Sequence, residues 1–425
     1  MPLTSSLTIP NYSNKHYCSG ELRFTRNSPE LLALEEETVD FTEKRGACED
    51  SQVYQAEYAG ITVGYRFRYP LTRMLFWDRM KPAEAGTPFI EIPEDTIEKG
   101  RERFPEDTSP EHVEFKALID LTSRVLLSSA PVCVFHAVAV SAFGKAWLIT
   151  APSGVGKTTQ LKNWRLMKDV PEVGVISGDM PVLERLPDGQ VLVHPSPWNG
   201  KEGFRGAPAA PLGGIVCLER TGPREDNLIR HIDSKERLDR CLGQFVCRPE
   251  NETQIRNYAR LADAVLGGVP VWLLRNRGDA ESTALMIKTI EQYAAECSLR
   301  PKDASGGAFG ISAVSEPADA QNALCGLSAA SGEVRYRRTD GIFLHEICGE
   351  YLLLAGAEAR RCVPFMSSVN EPSAIIWEYI SSPRSAAECA AVLAAEYPGV
   401  DPGRLCADAS AFLSEMEKKG YVRAV

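Results

Sequence analysis

The sequence has no run of about 18 apolar residues and no charged-then-apolar leader after Met1. A bilayer-spanning helix needs about that apolar length, so the chain is expected neither to cross a membrane nor to be secreted. Basic residues are not in excess either: 47 Lys and Arg stand against 57 Asp and Glu, a formal charge of −10. A nucleic-acid binder needs a basic face to displace condensed counterions, and this composition argues against that class. The 12 cysteines form no C-x-x-C pair and no Cys/His cluster, which argues against cysteine-bound metal. Several lie in apolar runs, Cys133 in PVCVF and Cys217 in IVCLE, where cysteine behaves as a small hydrophobe. A reducing cytoplasm is the expected location.

What the sequence does contain is concentrated at residues 151–159, Ala-Pro-Ser-Gly-Val-Gly-Lys-Thr-Thr. Lys145–Thr150 (KAWLIT) reads as a buried strand and Thr158–Met167 as the start of a helix. A loop between two such elements turns successive backbone N–H groups toward an anion at the positive helix end. Ser153, Gly154, Val155, Gly156, Lys157, Thr158 and Thr159 are therefore expected to cradle a nucleotide. Lys157 would reach the β- and γ-phosphates, and the Thr158 hydroxyl would sit on Mg²⁺. Ala151 replaces the usual first glycine, and the relaxed pattern occurs by chance in roughly 3% of chains this long. The strand before it and the helix after it lower that further.

The 425 residues, 44% hydrophobic and 24% charged, suit two or three globular domains. In the region 1–110, Tyr54–Tyr58 and Ile61–Tyr69 alternate like strands around a Gly60 turn, and Glu91–Asp107 reads as a charged, solvated stretch. His112–Leu127 has helical apolar spacing. Val132–Val140 and Lys145–Thr150 suggest a hairpin turning at Ala142–Gly144 and feeding the loop. Beyond it, strands are expected at Val173–Ser177, Pro181–Arg185, Gln190–His194, Ile215–Leu218 and Val269–Leu274. Two helices lie among them, the first capped by Asp233 or Ser234 and the second carrying Ile255, Tyr258, Leu261 and Val265. Residues 300–334, rich in Ala, Gly and Ser, read as a linker. In 335–425 a hairpin at Ile342–Ile347 and Tyr351–Leu354 precedes helices at Glu371–Ile380, Ser385–Tyr397 and Pro402–Lys419 and a strand at Tyr421–Val425.

Phosphoryl transfer asks for a phosphate cradle, a metal site and something to take the acceptor's proton. Asp179, at the end of the next strand after the loop, can bind Mg²⁺ or deprotonate a hydroxyl. His136 stands in an otherwise apolar strand, where a lone histidine is often a satisfied core residue. The loop Ser196-Pro197-Trp198-Asn199-Gly200-Lys201-Glu202-Gly203 offers Lys201 for anionic oxygens and Glu202 for metal, or is a rigid turn pinned by Trp198.

These residues resemble the HPr kinase/phosphorylase-like P-loop family, related to the ATP-dependent phosphoenolpyruvate carboxykinases. The likeness runs over roughly residues 112–275 through FHAVAV, APSGVGKTT, ISGDMPVL and SPWNGKEG. It implies a histidine near the transferred phosphate at His136. The family carries two consecutive acids after the post-loop strand; here the first is Gly178, leaving Asp179 alone. Glu202 lies near the family's metal-binding glutamate. The family's protein-substrate signature is absent, so HPr is not implied as substrate. Related kinases often form rings, which leaves homo-oligomerisation open.

Residues 335–425 resemble the PqqD-like peptide-recognition domain through Phe343–Leu354, VNEPSAIIWE at 369–378 and the ending Asp408…Phe412-Leu413…Gly420-Tyr421-Val422. Such domains bind the leader segment of ribosomally made peptides. The resemblance implies an α/β (α+β) chain: a β-rich N-terminal region at 1–110, an HPr kinase/PEP carboxykinase-type P-loop core at 111–299 and a small winged-helix-like domain at 335–425. The leading expectation is a cytoplasmic kinase moving the γ-phosphoryl of ATP, with Mg²⁺, to a hydroxyl, in particular a serine of such a peptide or of a small protein. A kinase for a small molecule such as free serine, and a nucleotide-dependent peptide scaffold without catalysis, stay open beside it. Carboxykinase activity is disfavoured, because that branch's metal- and carboxylate-binding residues find no match.

Overall fold

The computed structural model describes residues 52–76, 80–103, 109–152, 154–167, 173–200, 203–299 and 333–425. It is a mixed α/β protein, and its described residues fall into two compact units. The first comprises the described residues up to Arg248 together with Ala264–Glu296; the second comprises Pro249–Asp263, residues 297–299 and 333–425.

The first unit opens with the expected hairpin, β1 (Tyr54–Tyr58) and β2 (Ile61–Tyr65). β2 stops at Tyr65 rather than Tyr69 because the Arg68 and Tyr69 N–H groups donate to the buried carboxylate of Glu114, at 2.6 and 3.2 Å. The chain then turns into a short helix, α1 (Pro70–Leu75), begun by Pro70. β3 (Lys81–Pro82) and β4 (Phe89–Ile90) complete a four-stranded sheet in the order β3-β1-β2-β4. The stretch read as solvated contains α2 (Glu94–Arg103). It is anchored by Ile97 alone, with Ile92 buried just ahead of it; one apolar position in a charged helix leaves no periodicity to read. α3 (Pro110–Ser129) follows, its first turn capped by the Ser109 hydroxyl and begun by Pro110.

A nine-stranded sheet forms the centre of this unit. Its strands are β5 (Val132–Val134), β6 (Val138–Ala142), β7 (Lys145–Thr150), β8 (Gly174–Ser177), β9 (Val182–Arg185), β10 (Val191–His194), β11 (Ala210–Arg220), β12 (Leu228–His231) and β13 (Val271–Asn276). The order is β5-β9-β10-β11-β7-β6-β8, with β13 also beside β11 and β12 outside it. β7, β11 and β13 run parallel, and their near-continuous apolar sequences fit strands covered on both faces. Helices α4 (Lys157–Leu166) and α7 (Ala280–Leu299) contribute Leu161, Trp164, Ile287 and Ile290 to the core over Trp147 and Trp272. α7 was not anticipated, although Met286, Ile287, Ile290 and Ala294 follow helical spacing. α5 (Ser234–Cys241) begins at Asp233 as expected, its carboxylate accepting from Glu236 N–H at 2.9 Å.

One expected strand is broken. Val132–Val140 divides into β5 and β6 because Phe135–Ala137 leaves the ladder for other partners. That break positions the candidate site.

The second unit receives Pro249–Asp263, including most of α6 (Glu252–Gly267). The expected hairpin β15 (Ile342–Ile347) and β16 (Glu350–Ala355) is joined by β17 (Met366–Val369). β14 (Arg335–Arg338), β18 (Arg384–Ser385) and β19 (Val422–Ala424) form a second small sheet. The three expected helices are α8 (Glu371–Tyr379), α9 (Ala386–Glu396) and α10 (Pro402–Lys418), capped by Asn370, Ser385 and Asp401. Leu353 and Ala355 pack into their core with Trp377, Leu393 and Leu413. Leu352 and Leu354, on the opposite face of the strand, are buried as well. The α6 segment accompanies that sheet: Ala357 N–H donates to Glu250 O, Cys348 N–H to Asp263 Oδ1, and the Tyr258 and Phe365 rings meet edge-on at 5.9 Å. Among the described residues no helix is long and apolar enough to cross a membrane.

Candidate functional site

The loop after β7 joins that strand to α4. Gly154 and Gly156 take left-handed backbone, at φ 81° and 118°, conformations that a residue with a Cβ rarely adopts. α4 starts at Lys157 with Gly156 as its N-cap, and no side chain caps that end. Its first N–H groups and positive dipole end are therefore available to an anion. Lys157 is buried, and its Nζ donates to Ala151 O at 3.0 Å. Burial holds its ammonium below the usual lysine value, against the pull of Asp179. Thr158 is half-buried and Thr159 exposed in the first turn. Ser153, Lys201 and Glu202 lie outside the described residues.

His136 and Asp179 are brought together by main-chain pairing across the break between β5 and β6. Ala137 N–H donates to Asp179 O at 2.8 Å and Phe135 N–H to Pro181 O at 2.9 Å. The Thr150 hydroxyl, from the last residue before the phosphate loop, donates to His136 O at 2.8 Å. His136 Nε2 stands 3.6 Å from Asp179 Oδ1, and Nδ1 lies 3.1 Å from Gln244 Oε1. Burial and then the Lys157 charge lower the proton affinity of His136, while Asp179 and Gln244 raise it; the net direction is down. His136 and Asp179 thus stand side by side, and the Lys157 charge acts on both.

The 196–200 segment shapes the far side. Ser177 Oγ donates to Trp198 O at 3.2 Å and Met180 N–H to the same carbonyl at 3.3 Å, on either side of Asp179. Trp198 is buried, stacked on Tyr58 at 5.5 Å and edge-on to Phe76 at 5.3 Å. These contacts pin the 196–200 segment through Trp198 beside the turn that holds Asp179. A Cβ at Gly178 would lie 2.2 Å from Asn199 O, so this position has no room for a second carboxylate.

Two contributors escaped the sequence reading. Gln160, buried on α4, donates to Ser282 Oγ at 2.9 Å and to Asn276 Oδ1 at 3.3 Å, and accepts from Thr283 Oγ1 at 2.7 Å. It ties the phosphate-loop helix to the end of β13 and the start of α7. Gln244, in a 3₁₀ turn after α5, holds His136. A single Gln, whether in the polar start of α4 or in the apolar stretch 241–247, carries no periodic signal of its own, and its role depends on partners far along the chain.

Residues 363–422 match the family model of coenzyme PQQ synthesis protein D, PqqD. The C-terminal unit is PqqD-like. Among solved structures, the HPr(Ser) kinase/phosphatase from Coxiella burnetii is similar to this chain at 13% identity, covering 39% of this chain and 98% of that one, with a TM-score of 0.24. No curated protein sequence matches the chain.

Among the described residues no three His, Cys, Asp or Glu side chains cluster as a metal cage. A nucleotide-bound Mg²⁺ needs only one or two protein ligands, the rest coming from phosphate and water; the sequence reading offers Thr158 or Asp179 for it.

Proposed function

We propose that the protein is an ATP-dependent phosphotransferase that moves the γ-phosphoryl group to a hydroxyl, specifically a serine of a ribosomally made peptide or small protein held by the PqqD-like unit. The observation that carries this reading is the convergence of Lys157, His136 and Asp179 beside a glycine loop at a helix N-terminus.

In this reading the amides of Gly154, Val155 and Gly156 and the first turn of α4, with Ser153, bind the phosphates. Lys157 exchanges its Ala151 partner for the β- and γ-phosphate oxygens. Thr158, with Glu202, would hold Mg²⁺, which when bound neutralises charge on those oxygens, leaving Asp179 to act as the base. The acceptor oxygen bonds to the γ-phosphorus as the bond to the β–γ bridging oxygen breaks. The hydroxyl proton passes to Asp179, and ADP leaves. A PqqD-like unit supports a peptide acceptor, because such a domain adds a leader segment as a strand to its small sheet.

The test compares intact-mass profiles of small peptides from the native cytoplasm after ATP, Mg²⁺ and either wild type or Asp179→Asn are added. A phosphate on one peptide with wild type alone supports the reading. A phosphorylated metabolite instead moves the acceptor to a small molecule. A second reading, a nucleotide-dependent peptide scaffold, draws on Gly178, whose surroundings leave Asp179 as the single acid of its turn. It predicts nucleotide binding with no phosphorylated product in either fraction.

A further inference from the structure

We propose that Gln244 is a positioning residue: its side-chain carbonyl holds the Nδ1–H of His136, which keeps the ring from donating to Asp179 and leaves that carboxylate open to the acceptor hydroxyl. The inference rests on the kinase reading of this site and adds a residue to it.

Gln244 is brought to His136 from 108 residues away by a short antiparallel pairing. His136 N–H donates to Gln244 O at 2.8 Å, and Val246 N–H to Val134 O at 2.9 Å. Between them Phe135 and Phe245 form a bridge, their rings edge-on at 4.9 Å. Main chain and rings thus set the Gln244 side chain opposite one ring nitrogen. A carbonyl oxygen only accepts, so Nδ1 bears the hydrogen and Nε2 of the neutral ring is an acceptor. Nε2 and Asp179 Oδ1 face each other at 3.6 Å, beyond hydrogen-bond length, as two acceptors do. In the other tautomer Nε2–H would donate to Oδ1 and occupy the oxygen that must take the hydroxyl proton. The Lys157 charge, from α4, also acts on the ring.

The test is a long-range ¹H–¹⁵N spectrum of the full chain labelled in histidine at about pH 8, where an ordinary imidazole is neutral. The His136 signal is identified by its loss in His136→Asn. The expected wild-type ring is Nδ1–H. Gln244→Leu should shift it toward Nε2–H and lower kcat by about ten- to a hundredfold without changing KM for ATP. Gln244→Glu keeps an acceptor and should restore the tautomer and most of kcat. An Nε2–H ring in wild type, or an unchanged tautomer in Gln244→Leu, overturns the proposal. If the tautomer shifts as expected but wild type phosphorylates nothing, the hold on His136 stands and the kinase reading alone fails.

Discussion

The carbonyl oxygen of Asn199 lies so close to Gly178 that a Cβ there would stand 2.2 Å from it, and 3.1 Å from Phe204 O. Both neighbours are main chain and cannot swing aside. The residue beside Asp179 is therefore glycine for steric reasons, and a second acid cannot be added without moving the turn. Gly178→Asp is expected to lose about 2–4 kcal/mol of stability and to lower activity rather than raise it. Urea unfolding with a parallel transfer assay checks this; a stable, faster variant would refute it.

Trp198 couples the site to the N-terminal sheet. Its ring packs on Tyr58 and Phe76, and its carbonyl receives hydrogen bonds from Ser177 and Met180. Trp198→Ala should cost about 3–5 kcal/mol, whereas Trp198→Phe, which keeps an aromatic face, should retain most of the stability. The unfolding midpoints of the pair separate packing from any special need for indole.

Gln160 satisfies three buried partners, Asn276, Ser282 and Thr283. Gln160→Leu leaves their polar groups short of a partner at a cost of about 1–3 kcal/mol. Because α4 also carries Lys157 and Thr158, nucleotide affinity should fall along with stability. Calorimetric titration with ATP beside urea unfolding tests both; unchanged affinity would limit Gln160 to the core.

His345, on β15, is pushed down to about 4 by burial first and then by Arg256 and Arg260, against Glu252. As the pH falls the unfolded chain protonates this imidazole first, near its ordinary value of about 6.5, so acid favours unfolding. Stability is full above that value and falls progressively down to about pH 4, by at most about 3 kcal/mol. His345→Gln should flatten that part of the profile. Urea unfolding followed across this range by a probe in the second unit would show it, and an identical slope in both proteins would exclude His345 as the cause.

Much of the framework was legible because its signals are local. The hairpin at Ile342–Ala355, the cap at Asp233 and the helices beginning at Glu371, Ala386 and Pro402 depend on residues within a turn or two of one another. Where local signal was thin the reading failed. α2 buries one isoleucine inside a charged stretch, and β14, β17 and β18 are too short to show alternation.

The sequence by itself determined the glycine loop between β7 and α4: an apolar strand, glycines free to take left-handed backbone and a helix-forming stretch set that turn locally. Tertiary structure decided what faces the loop. His136 reads as the middle of one strand, yet it leaves the ladder because Asp179, Pro181 and Gln244 offer its neighbourhood better main-chain partners. Gly178 reads as a missing acid, yet the Asn199 carbonyl fills the space an acid would need. Those partners come from distant stretches of chain, and only the folded packing of strands and turns brings them within reach.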